Sequence, residues 1–358
     1  MKRNGKTSAG RQRWRCRECG ASGVHSNDTS ARDLATFVSW LLSKGSQGDM
    51  PGGGRSFRRR TEGLWAIWPM PEFVDEVHRV VYVDGIWLAR DLCVLIACSD
   101  EHVLTWRIAR AETTRAWRAL MRSMAPPEMV VTDGGSGFMS AVAAEWPGTR
   151  VQRCTFHVFC QVRRCTTSRP RLLAGKELYI LARDLLAVRD LRQADLWVER
   201  FLQWCEFWSD FLEERTRVDG RWEYTHERLR KARRSLARLV NAGTLFAYLD
   251  PDLAAEGPLP ATNNSIEGGV NARLREMLRN HRGLSETRRV KAVYWWCYMH
   301  TEAPLPFPEI LERMPTDADV ELLRDVYGEA PGDGPAEWGD GVVWSEFHAG
   351  GAYSRGAE

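Results

Sequence analysis

The 358-residue sequence lacks any apolar run of about 18 residues, so we expect no membrane-spanning helix. No apolar segment follows the basic N-terminus, and we therefore expect no secretory signal. The nine cysteines are scattered and odd in number, which argues against a disulfide framework and for a reducing cytosol. Apolar residues make up 44% of the chain, and this composition predicts a globular protein rather than a disordered one.

Lysine is scarce as well, since only six of the 50 basic residues are lysines and the others are arginines. The net charge of +3 hides an asymmetry: residues 301–358 contain thirteen acidic residues against three arginines, so the preceding part of the chain is strongly basic. Guanidinium groups pair with phosphate through two parallel hydrogen bonds, although an arginine bias can also reflect genome base composition. The charge of the basic part favours a polyanionic partner over a merely solvated surface.

Residues 1–24 contain a single Cys-x-x-Cys pair, Cys16 and Cys19, in a basic, glycine-rich setting. A zinc ribbon needs two such pairs to complete a tetrahedral site, and the sequence has no second one. Either the true start lies upstream with the first pair, which we favour, or the remaining pair holds no metal. We therefore predict a partial zinc ribbon over 1–24 (second knuckle only), which binds Zn²⁺ only if it is completed upstream.

Residues 25–72 are predicted to form a helix-turn-helix module. In "SARDLATFVSWLLSK" the apolar residues recur at helical spacing, "GSQGDMPGGG" is a turn region, and "RSFRRRTEGLWAIW" is basic and amphipathic. The second helix of such a module enters the major groove of DNA. The alternative is an ordinary helical hairpin with a solvated basic face, and DNA binding is favoured by four clustered arginines: Arg55, Arg58, Arg59 and Arg60.

From residue 79 onward the pattern changes to strands. "RVVYVDGIWL", "DLCVLIACS" and "HVLTWRIAR" are joined by very short connections and predict an antiparallel meander. A helix, the short strand "EMVVTD", another helix and the short strand "RVQRC" follow. This order, β-β-β-α-β-α-β, is that of the ribonuclease H-like fold, an α/β class with a mixed sheet. The predicted parts are the core over 75–165, an all-helical insertion over 166–260, the last core helices over 261–300 and an acidic Pro/Gly-rich tail over 301–358.

Two aspartates are placed by this pattern at neighbouring strands. Asp84 lies within the first strand, where an unpaired carboxylate is costly. Asp133 follows the fourth strand, which neighbours the first in a sheet of this type. Two like charges that close together cannot both stay ionised unaided, and a divalent cation such as Mg²⁺ or Mn²⁺ removes the cost by binding carboxylate oxygens.

A third acid, Glu267, lies in "TNNSIEGGVNARLREMLRNHRG". Asn263, Asn264 or Ser265 can cap a helix that places Glu267 in its first turn, on the same face as Asn271. Two Asp and one Glu can hold two metal ions for an in-line phosphoryl displacement. Taken separately, Asp-Gly is a common turn pair and Glu267 suits a helix N-terminus, but their joint placement favours a site. Nearby arginines could grip phosphates: Arg273, Arg275, Arg279 and Arg282.

A resemblance to a known family covers about residues 30–300. It rests on four motifs in this order: "VYVDGIW", "VVTDGGSGF", "RCTFHVFCQVRR" and "TNNSIEGGVNARLREMLRNHRGLS". The sequence resembles the mutator-type DDE transposases of bacterial insertion sequences. The resemblance implies binding of double-stranded DNA at terminal inverted repeats, followed by Mg²⁺-dependent cleavage and strand transfer into target DNA without a covalent protein–DNA intermediate. It implies two metal ions on Asp84, Asp133 and Glu267, a homodimer or larger assembly on DNA, and a place at the nucleoid in the bacterial cytoplasm.

"RCTFH" contains Cys154 and His157, which match the C/D-x-x-H signature of this family. Together with Cys160 and Cys165 they could hold zinc, and a Cys–His nucleophile is a weaker alternative. We favour a position of His157 near the active site, where it contacts phosphate or orients a ligand, while plain core packing is the remaining interpretation. Asn264 and Asn271 are expected near the same site.

The helical insertion carries tryptophans at spacings of seven and four residues: Trp197, Trp204 and Trp208. A core stripe is the favoured interpretation, and stacking on a splayed base is the alternative. The basic run "RLRKARRSLARL" over 228–239 is predicted to face DNA. The tail segment "EAPGDGPAEWGDG" is typical of an extended appendage.

Two other functions remain open on the sequence. One is an inactive or domesticated copy that binds specific DNA through its helix-turn-helix without cutting it. The other is a ribonuclease H-like, structure-selective nuclease, which would need neither a recognition helix nor the long interval between Asp133 and Glu267.

Overall fold

The computed structural model describes residues 1–24 and 28–327 and shows a mixed α/β protein. It divides into two compact units. The first comprises Met1–Ile67 and Leu305–Met314, and the second comprises Trp68–Pro304 together with the described residues from Pro315 onward. None of the helices in this described part is both long and apolar enough to span a bilayer.

The strands and helices are numbered in chain order. The strands are β1 Lys2–Lys6, β2 Gln12–Arg15, β3 Ser22–Val24, β4 Val80–Ala89, β5 Leu92–Cys98, β6 Val103–Ala109, β7 Met129–Thr132, β8 Arg150–Arg153, β9 Arg215–Val218 and β10 Arg221–Tyr224. The α-helices are α1 Ser30–Leu42, α2 Gly53–Thr61, α3 Thr114–Met121, α4 Ser136–Glu145, α5 Thr155–Thr166, α6 Leu173–Asp184, α7 Leu191–Phe207, α8 Ser209–Glu213, α9 Glu227–Asn241, α10 Pro251–Ala254, α11 Ala272–Asn280, α12 Glu286–Tyr298, α13 Phe307–Arg313 and α14 Asp317–Tyr327. A π-helix, Ser265–Asn271, directly precedes α11.

The first unit begins with an antiparallel sheet in the order β1-β2-β3. Helix α1 forms where the sequence predicts it, and α2 begins the basic segment. An aromatic cluster joins the two helices: the ring of Trp40 lies 5.2 Å from that of Phe57 and 6.5 Å from that of Trp65. Because these rings are withdrawn from water, the apolar faces of α1 and α2 are used for packing and the basic face of α2 is left outside.

The second unit is built on a five-stranded mixed sheet in the order β6-β5-β4-β7-β8. The predicted meander is present as antiparallel β4, β5 and β6, while β4–β7 and β7–β8 are parallel pairs. Side chains from one face of the sheet pack with α3 and α4 around Trp117 and Phe138. Helix α12 contacts the other face, where the hydroxyl of Tyr294 accepts a hydrogen bond from the Ile108 amide. The sheet is therefore covered on both sides, and its strands are accordingly apolar.

The prediction that residues 166–260 are wholly helical is wrong in one place. Strands β9 and β10 form an antiparallel hairpin there. Its turn is Asp219-Gly220, and both residues have positive φ angles, 45° and 79°. Asp-Gly is the typical turn of a two-residue hairpin, because its right-handed twist matches that of the flanking strands. The rest of the insertion is helical and packs around a common core that includes Trp197, Phe201 and Trp204.

The beginning of the acidic tail is helical. It forms α13 and α14, where Pro306 precedes α13 and acidic residues occupy the first turn of α14. Helix α13 packs against α1 in the first unit. In the second unit Asp317 accepts hydrogen bonds from Trp68 and from the buried Lys291. The segment "EAPGDGPAEWGDG" at 329–341 lies outside the described residues.

Candidate active site

Asp84 lies on β4, in the centre of the sheet, and both of its carboxylate oxygens are held by hydrogen bonds. The amide of Gly85 donates to Oδ1 at 2.9 Å, and Nδ2 of Asn271 donates to Oδ2 at 2.7 Å. Burial raises the pKa of Asp84 to about 7, and the nearby charges of Asp133, Glu267 and Glu112 act in the same direction. The charges of the neighbouring acids therefore disfavour the ionisation of Asp84, as the sequence predicts.

Asp133 directly follows β7, the parallel neighbour of β4. Its Oδ1 accepts a hydrogen bond from the Gly135 amide at 3.1 Å, where the chain turns into α4. Gly134 between them has a φ of 77°, and a Cβ atom at this position would lie 1.5 Å from Nη1 of Arg153. The positive φ favours glycine here, and the buried guanidinium of Arg153 lies in the space that a side chain would enter.

Arg153, the last residue of β8, is a residue that the sequence analysis missed. Its side chain is 7% exposed, and neither Nε nor Nη1 has a hydrogen-bond partner within the described residues. Burial lowers the pKa of Arg153, and the charge of Asp133 opposes this shift. A buried cation beside Asp133 can stabilise that carboxylate or contact an anion bound at the site.

Glu267 lies in the π-helix, in the first turn as predicted, although an α-helix was expected. Two asparagines attach this segment to β4: Nδ2 of Asn263 donates to the Val83 carbonyl at 3.1 Å, and Asn271 holds Asp84. Asn264 is exposed at the N-cap and makes no capping hydrogen bond. Burial raises the pKa of Glu267, and the charge of Asp133 raises it further. The charge of His157 lowers it. Glu267 is therefore near enough to Asp133 for their charges to interact.

His157 lies beside Glu267, with Nδ1 3.1 Å from Oε1 in the geometry of an ion pair and not of a hydrogen bond. Together with Cys154 they form a group whose three ligand atoms lie within 4.8 Å of one another. A hydrogen bond with Cys154 and the charge of Glu267 raise the pKa of His157, while burial opposes them. Among the described residues no other three His, Cys, Asp or Glu ligand atoms are this close, so the three carboxylates of Asp84, Asp133 and Glu267 form a wider group. Thiolate, imidazole and carboxylate are donors that suit zinc.

The alternative zinc set of Cys154, His157, Cys160 and Cys165 is not brought together in the described residues. Cys160 and Cys165 are not in that group; they are partly buried against the core of the helical insertion. Cys154 is buried, and its Sγ accepts a hydrogen bond from the Asn263 amide at 3.3 Å. Cys16 and Cys19 lie in the turn between β2 and β3, where hydrogen bonds from the backbone of Cys19 and Glu18 lower the pKa of Cys16. In the described chain they gain no third ligand.

Glu112, between β6 and α3, is a fourth acid that sequence reasoning did not find. A Cβ atom on Gly85 would lie 2.6 Å from its Oε1, so the carboxylate lies directly against β4. Oε1 accepts a 2.9 Å hydrogen bond from Nε1 of Trp87. Burial raises the pKa of Glu112, and the charge of Asp133 raises it further. The hydrogen bond from Trp87 lowers it. No pattern around Glu112 marks it, because it is a loop residue brought to the site by the strand that precedes it.

Most of the predicted DNA-binding arginines form no ion pair with the residues that the structure describes. In α2 this holds for Arg55, Arg58 and Arg59, which are exposed, whereas Arg60 donates to the Pro51 carbonyl and lies 3.5 Å from Asp33. The four near Glu267 are all exposed: Arg273, Arg275, Arg279 and Arg282. The basic run over 228–239 lies in α9, and there Arg230 is buried and pairs with Glu213. That helix is therefore used partly for internal packing.

The tryptophan stripe belongs to the core. Nε1 of Trp197 donates to the Leu181 carbonyl and Nε1 of Trp204 to the Ala174 carbonyl, and both rings are buried. Trp208 is partly buried and donates to Glu177. The interpretation as a core stripe is confirmed for Trp197 and Trp204, and neither can stack on a base.

Residues 91–161 match the family model described as the MULE transposase domain. This match supports a mutator-like transposase family. The matched segment runs from the turn before β5 into α5, and it contains Asp133, Cys154 and His157 as well as Glu112 and Arg153. Asp84 and Glu267 lie outside it. No curated protein matches the chain.

Proposed function

We propose that the protein is a DDE transposase that cuts DNA at the terminal inverted repeats of a bacterial insertion sequence and joins the ends to target DNA. The observation that carries the proposal is the placement of Asp84, Asp133 and Glu267, from three separate elements, where the charges of Asp133 and Glu267 raise the pKa of Asp84 and that of Asp133 raises the pKa of Glu267. The match to the MULE transposase domain over 91–161 supports it independently.

A ribonuclease H-like core is part of this proposal. The sheet order, with three antiparallel strands followed by two parallel ones beside the first, agrees with the order expected from the sequence. In such a core the two aspartates belong on the first and fourth strands. Asp84 lies on β4 and Asp133 follows β7, the corresponding strands here.

The residues present suit Mg²⁺ or Mn²⁺. Oδ1 of Asn271 is buried without a hydrogen-bond partner in the described chain, and it lies on the side chain that holds Asp84. A free acceptor oxygen among crowded carboxylates suits a hard cation with oxygen ligands. Asp84, Asp133 and Glu267 would hold two such ions, which supply positive charge to the attacking and leaving oxygens of a phosphodiester.

The other side chains of the site prepare it for this chemistry. Asn271 fixes the orientation of the Asp84 carboxylate, and Asn263 fixes the π-helix on β4. The raised pKa of His157 favours an imidazolium, which can contact a DNA phosphate next to Glu267. Arg153 offers unpaired N–H groups beside Asp133 for the same purpose. None of these groups needs to form a covalent bond to DNA.

Recognition of the ends is assigned to the first unit. Helix α2 would enter the major groove of double-stranded DNA as the second helix of a helix-turn-helix, with the exposed Arg55, Arg58 and Arg59 on phosphates or base edges. Because two ends must be brought together, a homodimer or larger assembly on DNA is part of the proposal. Cys16 and Cys19 supply only half of a tetrahedral zinc site, and they would hold Zn²⁺ only in a ribbon that is completed upstream.

The test is to incubate the full chain with Mg²⁺ and linear DNA that carries the terminal repeats of its own element. Nicking at the ends is expected, and it should be lost in Asp84→Asn, Asp133→Asn and Glu267→Gln. Glu101→Gln is the matched control, because Glu101 is an exposed acid in the turn between β5 and β6. Specific binding without nicking would indicate an inactive DNA-binding protein, and cutting that ignores the ends would indicate a structure-selective nuclease.

A further inference from the structure

An open groove of about 420 Å³ lies beside the end of β4 in the second unit. Its lining includes one tryptophan, Trp87, and four arginines: Arg275, Arg279, Arg282 and Arg289. The arginines come from α11, from the connection after it and from α12. The groove therefore combines an aromatic ring with cations from several elements. A small apolar ligand would not require such cations.

Trp87 is unusual for a residue of the central strand. Its side chain is 47% exposed, whereas its neighbours Ile86 and Leu88 are buried. Since Nε1 donates to Glu112, the polar edge of the indole is satisfied and the ring is held in place. The exposed part of the side chain is therefore ring surface, which gains free energy when another planar group covers it.

The arginines of the groove are not held in ion pairs among the described residues, although the charge of Arg275 acts on Glu267. In the residues that the structure describes, none of the four arginines forms an ion pair, and the one side-chain bond among them runs from Nε of Arg282 to the carbonyl of Arg279. Arg275 and Arg279 are one helical turn apart, about 6 Å along the axis of α11. Cations placed in succession fit a chain of phosphates better than a single one.

We propose that this groove binds single-stranded DNA, with one base stacked on Trp87 and the neighbouring phosphates on Arg275, Arg279, Arg282 and Arg289. A base inside a duplex has both faces covered by its neighbours and cannot stack on a side chain, so Trp87 selects an unpaired nucleotide. The inference rests on the proposed function, because Trp87 lies three residues from Asp84, about 10 Å along β4. The groove would hold the unpaired strand of a DNA end that is being cut.

Binding is measured by fluorescence anisotropy with the full chain in EDTA, so that no cleavage is needed. The probe is a fluorescein-labelled oligothymidylate of about 12 nucleotides. Trp87→Ala should weaken binding by about 10-fold to 100-fold, and Trp87→Phe should retain most of the affinity. Trp222→Ala is the matched control, since Trp222 is also exposed, at 66%, but lies on the hairpin strand β10.

The stacking and phosphate contributions are separated by a second probe with the same backbone and abasic residues throughout. The wild-type chain should bind the abasic probe more weakly than oligothymidylate. The ratio of the two affinities should equal the factor by which Trp87→Ala weakens the binding of oligothymidylate. The Trp87→Ala variant should bind both probes equally. Arg289→Gln should weaken both probes alike and reduce the slope of log K against log salt by about 0.7.

Equal affinity of the wild type and Trp87→Ala for both probes would overturn the inference. Equally effective competition by duplex DNA would assign the groove to duplex, and preferential competition by oligouridylate would assign it to RNA; either result also overturns it. Thermal unfolding is recorded for each variant, and an unchanged melting temperature shows that the variant is folded. Failure of the cleavage assay would not affect these binding results, while cleavage combined with Trp87-independent binding would overturn this inference alone.

Discussion

The side-chain amide of Asn271 donates a 2.7 Å hydrogen bond from Nδ2 to Oδ2 of Asp84, across 187 positions of sequence. The bond joins the π-helix to the central strand and orients a carboxylate whose pKa burial raises to about 7. Oδ1 of the same amide stays without a hydrogen-bond partner in the described chain. Asn271 therefore connects the segment of Glu267 to Asp84 and keeps one acceptor oxygen without a partner in the described residues.

We predict that Mg²⁺ stabilises the protein more at pH 8 than at pH 6. Without metal, the folded-state pKa of Asp84, about 7, exceeds the ordinary value of 3.8, so the folded state holds its proton more tightly than the unfolded state does. The resulting stability is fully present below about pH 4 and is lost as the pH rises to about 7. Mg²⁺ must displace that proton, and it competes best where the proton is already gone.

The measurement is the increase in melting temperature on adding Mg²⁺ to the full chain at the two pH values. Asp84→Asn should remove most of the increase at both pH values, since the amide cannot ionise. An equal increase at pH 6 and pH 8 in the wild type would show that no proton on Asp84 competes with the metal.

Glu112→Gln should lower the rate of DNA cleavage by about 10-fold to 100-fold, the range found for residues that support metal ligands. Because the charge of Glu112 raises the pKa of Asp84, its removal should also shift the acidic limb of the pH–rate profile to lower pH. The measurement is a pH–rate profile of end nicking, with Glu101→Gln as the control. A slower enzyme with an unmoved profile would mean that Glu112 acts only through the fold.

Gly137→Ala should destabilise the second unit by about 1–3 kcal/mol. A Cβ atom at Gly137 would lie 2.1 Å from the carbonyl oxygen of Glu112, and backbone must move to admit it. Gly148→Ala is the control, because no described heavy atom lies within 4 Å of the Cβ position there. Urea denaturation measures both, and equal stability of the two variants would contradict the close packing of the Glu112 segment on α4.

Trp197→Ala should cost about 3–5 kcal/mol of stability, as expected for a large buried aromatic side chain. Its ring stacks on Phe201 at 5.6 Å and its Nε1 donates to a backbone carbonyl. Phe207→Ala, at a position 76% exposed on the same helix, should have little effect. Denaturation curves test the pair, and a Trp197→Ala variant of normal stability would show that the insertion does not depend on this core.

Local patterns determined the elements from which the site is built. The apolar runs around Asp84 and before Asp133 could only be strands, and the short connections between the first three runs required a meander. The spacing of Leu34, Phe37 and Leu41 required a helix with one buried face. These predictions succeeded because hydrophobic periodicity and the length of a connection between strands depend only on residues that are close in sequence.

Other features were decided only by the folded chain. Glu112 and Arg153 carry no signal in their own neighbourhood, and they became part of the site because Gly85 and Gly134 leave room for their side chains. The approach of Cys154 and His157 to Glu267 depends on how α5 and the π-helix meet. Contacts between segments more than 100 residues apart depend on the packing of whole elements. A local sequence pattern does not predict that packing. The sequence alone thus predicted that Asp84 and Asp133 lie at neighbouring strands, and the tertiary structure decided which other side chains surround them.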